Sequence, residues 1–437
     1  MKTPFHVPLQ ETLHKIDQKQ IIMKQFILSF LLAAAITPAW AADKQQLTVK
    51  VSNPAKMERT ATPIVIQLAN YPINVKSAIV KLGNQEIPCQ LDDLNGDGKF
   101  DELCFLTQLG KKEKQQFDVT LSTEGTANNY PAQVYAEMMM SNKKIKASNK
   151  QDLYISSLTV DNGTNPYWML HHHGPAFEND MVAYRIYFDH RQTVDIYGKY
   201  KKGLELKQTQ FYPDKEQKAA GFGDDILWVG ETFGLGAIRG WDGQAPQMLK
   251  DVEHRTLRIL ARAPLRTVVE VIDEGWKTPG KEERISMTTR YILYAGRRDC
   301  QVEVSFNRPA TGYELATGII NVKNSTEMSN HKGLRGCWGT DWPVSEKDSA
   351  GHKRETVGLG ICIPTQQLAK ELPANKDNYP FVIGNIGNGF TYHITFGSDN
   401  ESFGFHNAKD WFAYLEKWSE DVSSDNQVKV EVTTSSK

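Results

Sequence analysis

The sequence of 437 residues lacks an excess of charge of either sign. Its 51 lysines and arginines stand against 52 aspartates and glutamates, without a long basic run. Nucleic-acid binding is therefore not predicted, because neutralising phosphates requires clustered cations. Long hydrophobic runs are also missing. The longest, at residues 26–36, falls well short of the roughly 20 residues that a membrane-spanning helix needs, so no membrane span is predicted.

Several signatures of enzyme classes are absent as well. The chain contains no G-x-S-x-G, no H-E-x-x-H and no paired C-x-x-C motif. These absences remove the usual sequence signals for a nucleophile-elbow hydrolase, a zinc protease and a paired-cysteine zinc or redox site. Internal repeats and coiled-coil heptads are not visible either. Any function must therefore be argued from dispersed polar residues.

Cysteine is scarce, and five is an odd number, so at least one thiol is free or pairs outside the chain. Cys89 and Cys104 lie symmetrically about a glycine-containing turn. If this segment is a tight hairpin, the two would face each other, and an oxidising compartment would permit a disulfide. Two small buried residues are the equally weighted alternative. The other three cysteines occupy positions typical of a core.

The N-terminal region predicts export. After Met23 come a lysine, the apolar run and the sequence Ala39-Trp40-Ala41, which together are typical of a secretory signal peptide cleaved after Ala41. Residues 1–22 are then an upstream extension, and residues 23–41 are the signal; a signal anchor is the alternative. The mature protein is expected in the periplasm or outside the cell. Its oligomeric state is left open.

Strand-like alternation with a period of two dominates the rest of the chain. Residues 42–125 contain six or seven short strands and predict a small β-sandwich. Residues 126–135 are polar and predict a linker. Residues 136–437 predict a large antiparallel β-sandwich with few helices. The one clear helix covers residues 408–422, where Trp411, Leu415 and Trp418 form a buried stripe.

The loop DLNGDGKFDE at residues 93–102 predicts a structural calcium site in the small domain. Alternating acidic side chains supply several oxygens from one bend, and a glycine gives the sharp turn. The pattern departs at its twelfth position, where Cys104 replaces the usual glutamate, and a plain hairpin turn is the alternative. The predicted ligands are Asp93, Asn95, Asp97, the carbonyl of Lys99, and Asp101. No other cofactor is predicted.

Residues 167–199 concentrate acids, bases and aromatic rings, as a site for a polar, ring-shaped substrate requires. The histidine run at 171–173 is interpreted as a strand end, with His171 and His173 on one face. Two histidines on one face could ligate zinc, but no third ligand is apparent. A general acid or base at His172 or His173 is preferred, because Gly174-Pro175 ends the strand there.

The two following strands carry further candidates. Glu178 could orient a histidine or act as a base, and Arg185 could grip a substrate carboxylate. Alternation places Arg185 and Tyr187 on the face opposite Tyr184; either tyrosine could donate a proton. Asp225 is a second carboxylate, as a glycosidase would need. The predicted catalytic residues are His172, His173, Glu178, Tyr184, Arg185 and Asp225, and the predicted substrate-binding residues are Trp168, Tyr187, Asp195, Tyr197 and Lys199.

For Asp195, Tyr197 and Lys199, which share one face of their strand, a buried ion pair with a hydrogen-bonded tyrosine is the alternative to a binding role.

Four motifs together resemble a known family: LDDLNGDGKFDELCF, HHHGPAFENDMVAYRIYFDHRQTVDIYGK, DDILWVGETFGLGAIRGWDG and APLRTVVEV. They are similar to the secreted bacterial family called domain of unknown function 4861, over most of the chain after the signal peptide. The resemblance implies a galactose-mutarotase-like β-sandwich and an association with enzymes that degrade pectin and other uronates. In that fold a histidine often works with a carboxylate or a tyrosine, which favours the residues around 172–185 by analogy.

The sequence therefore favours an exported enzyme acting on uronate-containing, pectin-like oligosaccharides by a lyase mechanism. A histidine or tyrosine would remove the C5 proton while Arg185 or Lys199 neutralises the carboxylate. A glycoside hydrolase using Glu178 and Asp225 is the next alternative. A mutarotase or epimerase, and a non-catalytic glycan-binding protein, are the others.

Overall fold

The computed structural model describes residues 43–145, 150–423 and 427–434. The predicted upstream extension and signal peptide, residues 1–22 and 23–41, lie outside these residues. Residues Lys44–Lys437 form one compact unit. Within the described ranges, no helix is long and apolar enough to cross a membrane.

The first seven strands form a small β-sandwich, as their alternation predicted. They are β1 Lys44–Ser52, β2 Arg59–Gln67, β3 Ser77–Leu82, β4 Gln85–Ile87, β5 Cys89–Asp92, β6 Glu102–Leu109 and β7 Lys114–Ser122. One sheet contains β1-β7-β3-β4 and the other β2-β6-β5. Leu47, Val49, Val51 and Phe117 are buried between them, and burying an aliphatic or phenylalanine side chain contributes roughly 1.5–3 kcal/mol.

Cys89 and Cys104 do not form the disulfide that the sequence permitted. Cys89 is paired with Phe105, and Cys104 with Gln90, so the two cysteines are one register position apart and point to opposite sheet faces. Cys89 packs inside the small sandwich, whereas Cys104 packs against residues of the large one, including Val268. Both thiols are free and buried. The structure supports the alternative prediction, in which Cys89 and Cys104 are two small buried residues.

We expect all five cysteines, which are free in the structure, to react with a thiol reagent once the purified protein is denatured without reductant. Native protein should react slowly, because burial raises the pKa of the Cys89 thiol to about 11 and only the thiolate is nucleophilic. The absorbance of the released chromophore counts the thiols. A count of three would mean that a disulfide had formed.

The remaining strands belong mainly to a large β-sandwich. They are β8 Val134–Glu137, β9 Met139–Met140, β10 Leu153–Tyr154, β11 Ser157–Asp161, β12 Ala176–Asn179, β13 Ala183–Ile186, β14 Val194–Gly198, β15 Asp224–Asp225, β16 Arg239–Trp241, β17 Pro246–Gln247, β18 His254–Ala261, β19 Arg266–Trp276, β20 Ile285–Tyr294, β21 Asp299–Phe306, β22 Leu315–Ile320, β23 Thr326–Ser329, β24 Leu334–Asp341, β25 Glu355–Cys362, β26 Leu368–Glu371, β27 Asn378–Ile383, β28 Gly389–Ser398 and β29 Lys429–Thr434. The α-helices are α1 Leu206–Thr209, α2 Lys215–Ala219 and α3 Ala408–Val422, and short 3-10 turns occur at Leu68–Asn70, His171–His173, Glu346–Asp348 and Thr365–Gln367.

An antiparallel sheet of nine strands, β11-β18-β19-β20-β21-β28-β25-β24-β23, is the base of the large sandwich. Two sheets of five strands, β15-β14-β13-β12-β8 and β17-β16-β22-β27-β26, pack against it. The shared core includes Tyr184, Ile319 and Phe396, one residue from each sheet. The chain is thus mainly β, with antiparallel sheets and few helices, as predicted.

The predicted helix and the predicted domain ranges have different outcomes. Helix α3 has the predicted bounds, with Trp411, Leu415 and Trp418 buried. Strand β29 pairs with β1, so the last strand returns to the small sandwich instead of the large one that residues 136–437 were expected to form. The division at residues 126–135 stays a prediction.

Candidate functional site

The histidine run forms a turn and not the predicted strand end. His171–His173 is a 3-10 turn, with φ of 41° at His172 and 67° at His173. Residues with a Cβ rarely adopt this region, and such outliers cluster at functional sites. The turn brings the following residue, Gly174, against β13, where an added Cβ would lie 1.8 Å from the Ile186 carbonyl oxygen. Only glycine lets the chain pass so close to the end of β13.

His172 faces an acid that the sequence analysis missed. Its Nε2 lies 3.4 Å from Glu137 Oε1, and both side chains are completely buried. Tyr135 donates a hydrogen bond of 2.9 Å to the other Glu137 oxygen. Burial raises the pKa of Glu137 to about 8 and lowers that of His172 to about 3. Both groups are therefore uncharged near neutral pH. In β8, Tyr135 and Glu137 alternate with the apolar residues Val134 and Ala136, and this alternation is the sequence signal that could have identified Glu137.

His173 lies nearer the surface and stacks on an aromatic ring. Its ring is 3.7 Å from that of Tyr167, and its Nδ1 lies 2.9 Å from the Tyr167 carbonyl oxygen. A carbonyl only accepts, so Nδ1 carries the proton and Nε2 is the basic atom. Burial lowers the pKa of His173 to about 4. Trp168, which is 76% exposed, meets this pair edge-on.

The residues considered as zinc and calcium ligands lie in two separate segments of the chain. Within the described part of the chain, no three histidine, cysteine, aspartate or glutamate side chains are placed to hold a metal, so His171 and His173 lack a third zinc ligand. In the predicted calcium loop, Asp93 accepts hydrogen bonds from the Gly96 and Gly98 amides, and Asp101 accepts one from Leu94. Calcium binding at this loop stays a prediction.

Arg185 is the centre of a buried ionic cluster on the outer face of β13 and β14. Its Nη2 donates to Asp195, to Asp225 at 3.0 Å and to the Tyr187 hydroxyl at 3.0 Å. Its Nη1 donates to the Tyr212 hydroxyl at 2.8 Å. Only 1% of Arg185 is exposed. Two carboxylates thus share one guanidinium. Arg185 and Asp195 are register partners in β13 and β14, so their side chains lie on the same face of the sheet.

Asp225 is the outer member of this cluster. Its side chain is 22% exposed, compared with 0% for Asp195, and its Oδ1 has no hydrogen-bond partner among the described residues. Burial, together with the neighbouring charge of Asp195, raises the pKa of Asp225 well above its usual value. Because two carboxylates cannot both ionise cheaply beside one cation, this arrangement favours the protonated form of Asp225, which can act as a proton donor.

The segment between β14 and β15, residues 200–223, covers this face, and we call it the cover segment. The Phe211 ring lies 4.0 Å from the Arg185 guanidinium. Gln210 and Phe211 have φ of 48° and 72°, a second pair of strained residues directly above the cluster. Gln210 is tied to β10 by a hydrogen bond of 3.2 Å to the Tyr154 hydroxyl.

Glu178 and Lys199 lie on the same face but form a closed ion pair. Lys199 Nζ donates to Glu178 at 2.5 Å and to the carbonyls of Asn179 and Gly203. Glu178 also accepts from the backbone amides of Glu205 and Leu206, and both charged side chains are completely buried. Their bonds anchor the cover segment, so neither group is available to a substrate. Tyr197 likewise donates to Glu205 at 2.9 Å.

Tyr184 is separated from the other candidates by the strand's alternation. It points into the core, where its ring lies 5.2 Å from that of Phe396 and its hydroxyl donates to the Arg298 carbonyl. The structure brings together two groups on one side of the sheet, with Tyr184 on the other. These groups are Glu137 with His171 and His172, and Arg185 with Tyr187, Asp195, Tyr212 and Asp225.

The buried Glu137 should make the stability of the protein fall as the pH rises. The folded state holds this proton up to about pH 8, whereas an unperturbed glutamate releases it near 4.5. Neutral Glu137 therefore makes its full contribution to the free energy of unfolding below the pKa of the unfolded state. This contribution is lost as the pH rises towards the pKa of the folded state, at up to about 1.4 kcal/mol per pH unit. In urea unfolding between these pH values, Glu137→Gln should gain stability relative to wild type as the pH increases. If the free energies of unfolding of wild type and Glu137→Gln changed in parallel with pH, Glu137 would not be neutral in the folded state.

The chain matches one family model and is similar in fold to solved structures. A family model described as domain of unknown function 4861 matches residues 51–428. No curated protein matches the chain. Among solved structures, it is similar to a protein in glycosyl hydrolase family 38 from Enterococcus faecalis, with 8% identity and a TM-score of 0.47, over 90% of this chain and 47% of that one. It is also similar to an alpha-mannosidase from Enterococcus faecalis V583, with 9% identity and a TM-score of 0.41, over 90% and 46%. The chain spans about half the length of these two proteins.

Proposed function

We propose a carbohydrate-active enzyme function for this chain, which belongs to the family described as domain of unknown function 4861. The observation that carries the proposal is Asp225, a partly exposed carboxyl that shares Arg185 with Asp195 and whose pKa is raised by burial and by the charge of Asp195. A perturbed acid among buried charges and phenols is typical of a site that transfers protons. The exposed ring of Trp168 offers a sugar a stacking face at the rim.

An acidic sugar is the substrate that we favour, because guanidinium groups flank Tyr187. Arg185 lies 4.8 Å and Arg191 5.1 Å from the centre of its ring. Arg185 is buried and already paired with two carboxylates, whereas the side chain of Arg191 is 17% exposed and forms an ion pair with Asp189. The planar guanidinium of Arg191 can therefore grip a uronate carboxylate. This role passes to Arg191 from the sequence candidates Arg185 and Lys199.

The reaction that we favour is a lyase-type elimination. The basic Nε2 of His173 removes the C5 proton, Arg191 neutralises the carboxylate, and Asp225 gives its proton to the departing oxygen. Neutralisation acidifies the C5 proton and stabilises the enolate-like transition state. His172 is less suited than His173, since its ring is completely buried against Glu137. Phe211 and Tyr212 of the cover segment pack against Arg185, so this proposal requires that they move aside before substrate reaches Arg185.

A glycoside hydrolase is the second candidate, for one specific reason. Asp195 and Asp225 both accept from Nη2 of Arg185, so the two carboxyl groups lie close together, as the roughly 5 Å separation of a retaining glycosidase requires. Asp195 would then replace Glu178, which Lys199 holds, as the partner of Asp225.

Incubation with polygalacturonate and other uronate polysaccharides separates these reactions. New ultraviolet absorbance from an unsaturated product means a lyase, and new reducing ends without that absorbance mean a hydrolase. We expect the first result. If neither product forms with any uronate polymer, the proposed enzyme function is wrong.

A further inference from the structure

A cavity of about 220 Å³ opens beside Arg191, separate from the cluster around Arg185. Its walls come from the turn after β11, from the turn between β13 and β14, and from the chain leading into β18. The lining side chains that matter below are Asn162, Thr164, Asn165, Asp189, His190 and Lys250.

One ion pair separates this cavity from the proposed reaction site. Asp189 lines the cavity and is 2% exposed. Its Oδ2 accepts from Nε and Nη2 of Arg191 at 2.8 Å and 2.6 Å. The same guanidinium lies 4.6 Å from the centre of the Tyr167 ring and 5.1 Å from that of Tyr187. Arg191 therefore has the cavity on one side and the aromatic side chains of the reaction site on the other.

The polar groups of the cavity suit hydroxyl and carboxylate oxygens. Asn162 and Thr164 are exposed, and Asn165 accepts from the Tyr167 amide at 3.0 Å, which leaves its own amide nitrogen as a donor. Lys250 is exposed, and no ion pair is seen for it in the part of the chain that the structure describes. Asp161 also lines the cavity, and its Oδ1 lies 3.0 Å from His254 Nδ1. Lys250, with amide and hydroxyl groups around it, can bind an acidic sugar through one charge and several hydrogen bonds.

The size of the cavity limits its occupant. Ligand pockets usually measure about 300–1,000 Å³, so a cavity of about 220 Å³ lies just below this range and suits a single sugar ring. Since the cavity adjoins Arg191, its occupant would be the neighbour of the sugar that Arg191 holds.

We propose that this cavity is a second saccharide subsite, which binds the adjacent uronate residue of an oligosaccharide with its carboxylate on Lys250. The subsite rests on the proposed function, because that function places the reacting sugar at Arg191. Lys250 then favours the binding of longer, acidic substrates and takes no part in proton transfer.

The test uses the full protein with Asp225→Asn, so that bound oligosaccharide is not consumed. Galacturonate and tetragalacturonate are titrated calorimetrically into this protein, with and without Lys250→Met. The matched control is Lys323→Met, another exposed lysine, whose amine lies 3.8 Å from Glu346 and far along the chain from the cavity. We expect Lys250→Met to weaken tetragalacturonate binding about tenfold, or about 1.4 kcal/mol, and the control to leave it unchanged. Thermal melting verifies that each variant is folded.

Hydrogen exchange locates the ligand in the same samples. Tetragalacturonate should slow exchange in residues 162–165, and Lys250→Met should remove that protection. Equal binding by both lysine variants, or no binding at all, overturns the subsite. If the wild-type protein forms unsaturated product while the lysine variants bind equally, the proposed function stands and the subsite fails. If no product forms but binding depends on Lys250, the subsite stands and the proposed reaction fails.

Discussion

Replacing Asp225 by asparagine is expected to lower turnover of a uronate oligosaccharide by about 10²–10⁴-fold, the usual contribution of a general acid. The asparagine keeps the size of the side chain and can still accept from Nη2 of Arg185, as Asp225 does at 3.0 Å. It has no proton to give to the leaving oxygen. Initial rates of unsaturated product, measured across pH, check this expectation. The alkaline limb of the wild-type profile, where Asp225 loses its proton, should disappear.

The adjacent residue supplies a matched control. Asp224 carries the same charge on the same short strand, but its carboxylate pairs with Lys218 and is 31% exposed. Asp224→Asn should leave turnover within about twofold of wild type, since an exposed pair contributes only about 0–1 kcal/mol. Equal effects of the two substitutions would mean that Asp225 acts through the local charge and not as an acid.

Lys199→Met should destabilise the protein by about 3–5 kcal/mol, because it leaves Glu178 buried without its cation. Both side chains of this pair are completely buried, and Lys199 also donates to two backbone carbonyls. Urea unfolding monitored by tryptophan fluorescence measures the change. The cover segment should loosen first, since Glu178 holds the Glu205 and Leu206 amides.

Two further variants test the origin of that loss. In the double variant Lys199→Met with Glu178→Gln, the unpaired charge is removed, so the total loss should be smaller than the sum of the single losses. Lys202→Met is the surface control, because its side chain is 52% exposed and its amine lies 4.0 Å from Asp180; a loss of about 1 kcal/mol or less is expected. If Lys199→Met were no more harmful than this control, Glu178 would be accessible, and its predicted catalytic role would regain support.

The strand faces of the candidate site could be predicted from the sequence. Alternation placed Arg185 with Tyr187 and opposite Tyr184, and the structure agrees. It also grouped Asp195 with Lys199, although the two join different ion pairs. Alternation fixes which side a residue points to, because successive side chains in a strand alternate. It says nothing about which neighbour supplies the partner, so Glu137 and Tyr212 were missed.

The sequence by itself determined the mainly β architecture, helix α3 with its buried tryptophans, and the near-neutral charge that argues against nucleic acid. These follow from local periodicity and composition, which do not depend on distant parts of the chain. The tertiary structure decided the turn at His172 and His173, the opposite faces of Cys89 and Cys104, and the sharing of Arg185 by two aspartates. Each of these depends on strand register or on contact between residues far apart in the sequence, and no local pattern encodes such contacts.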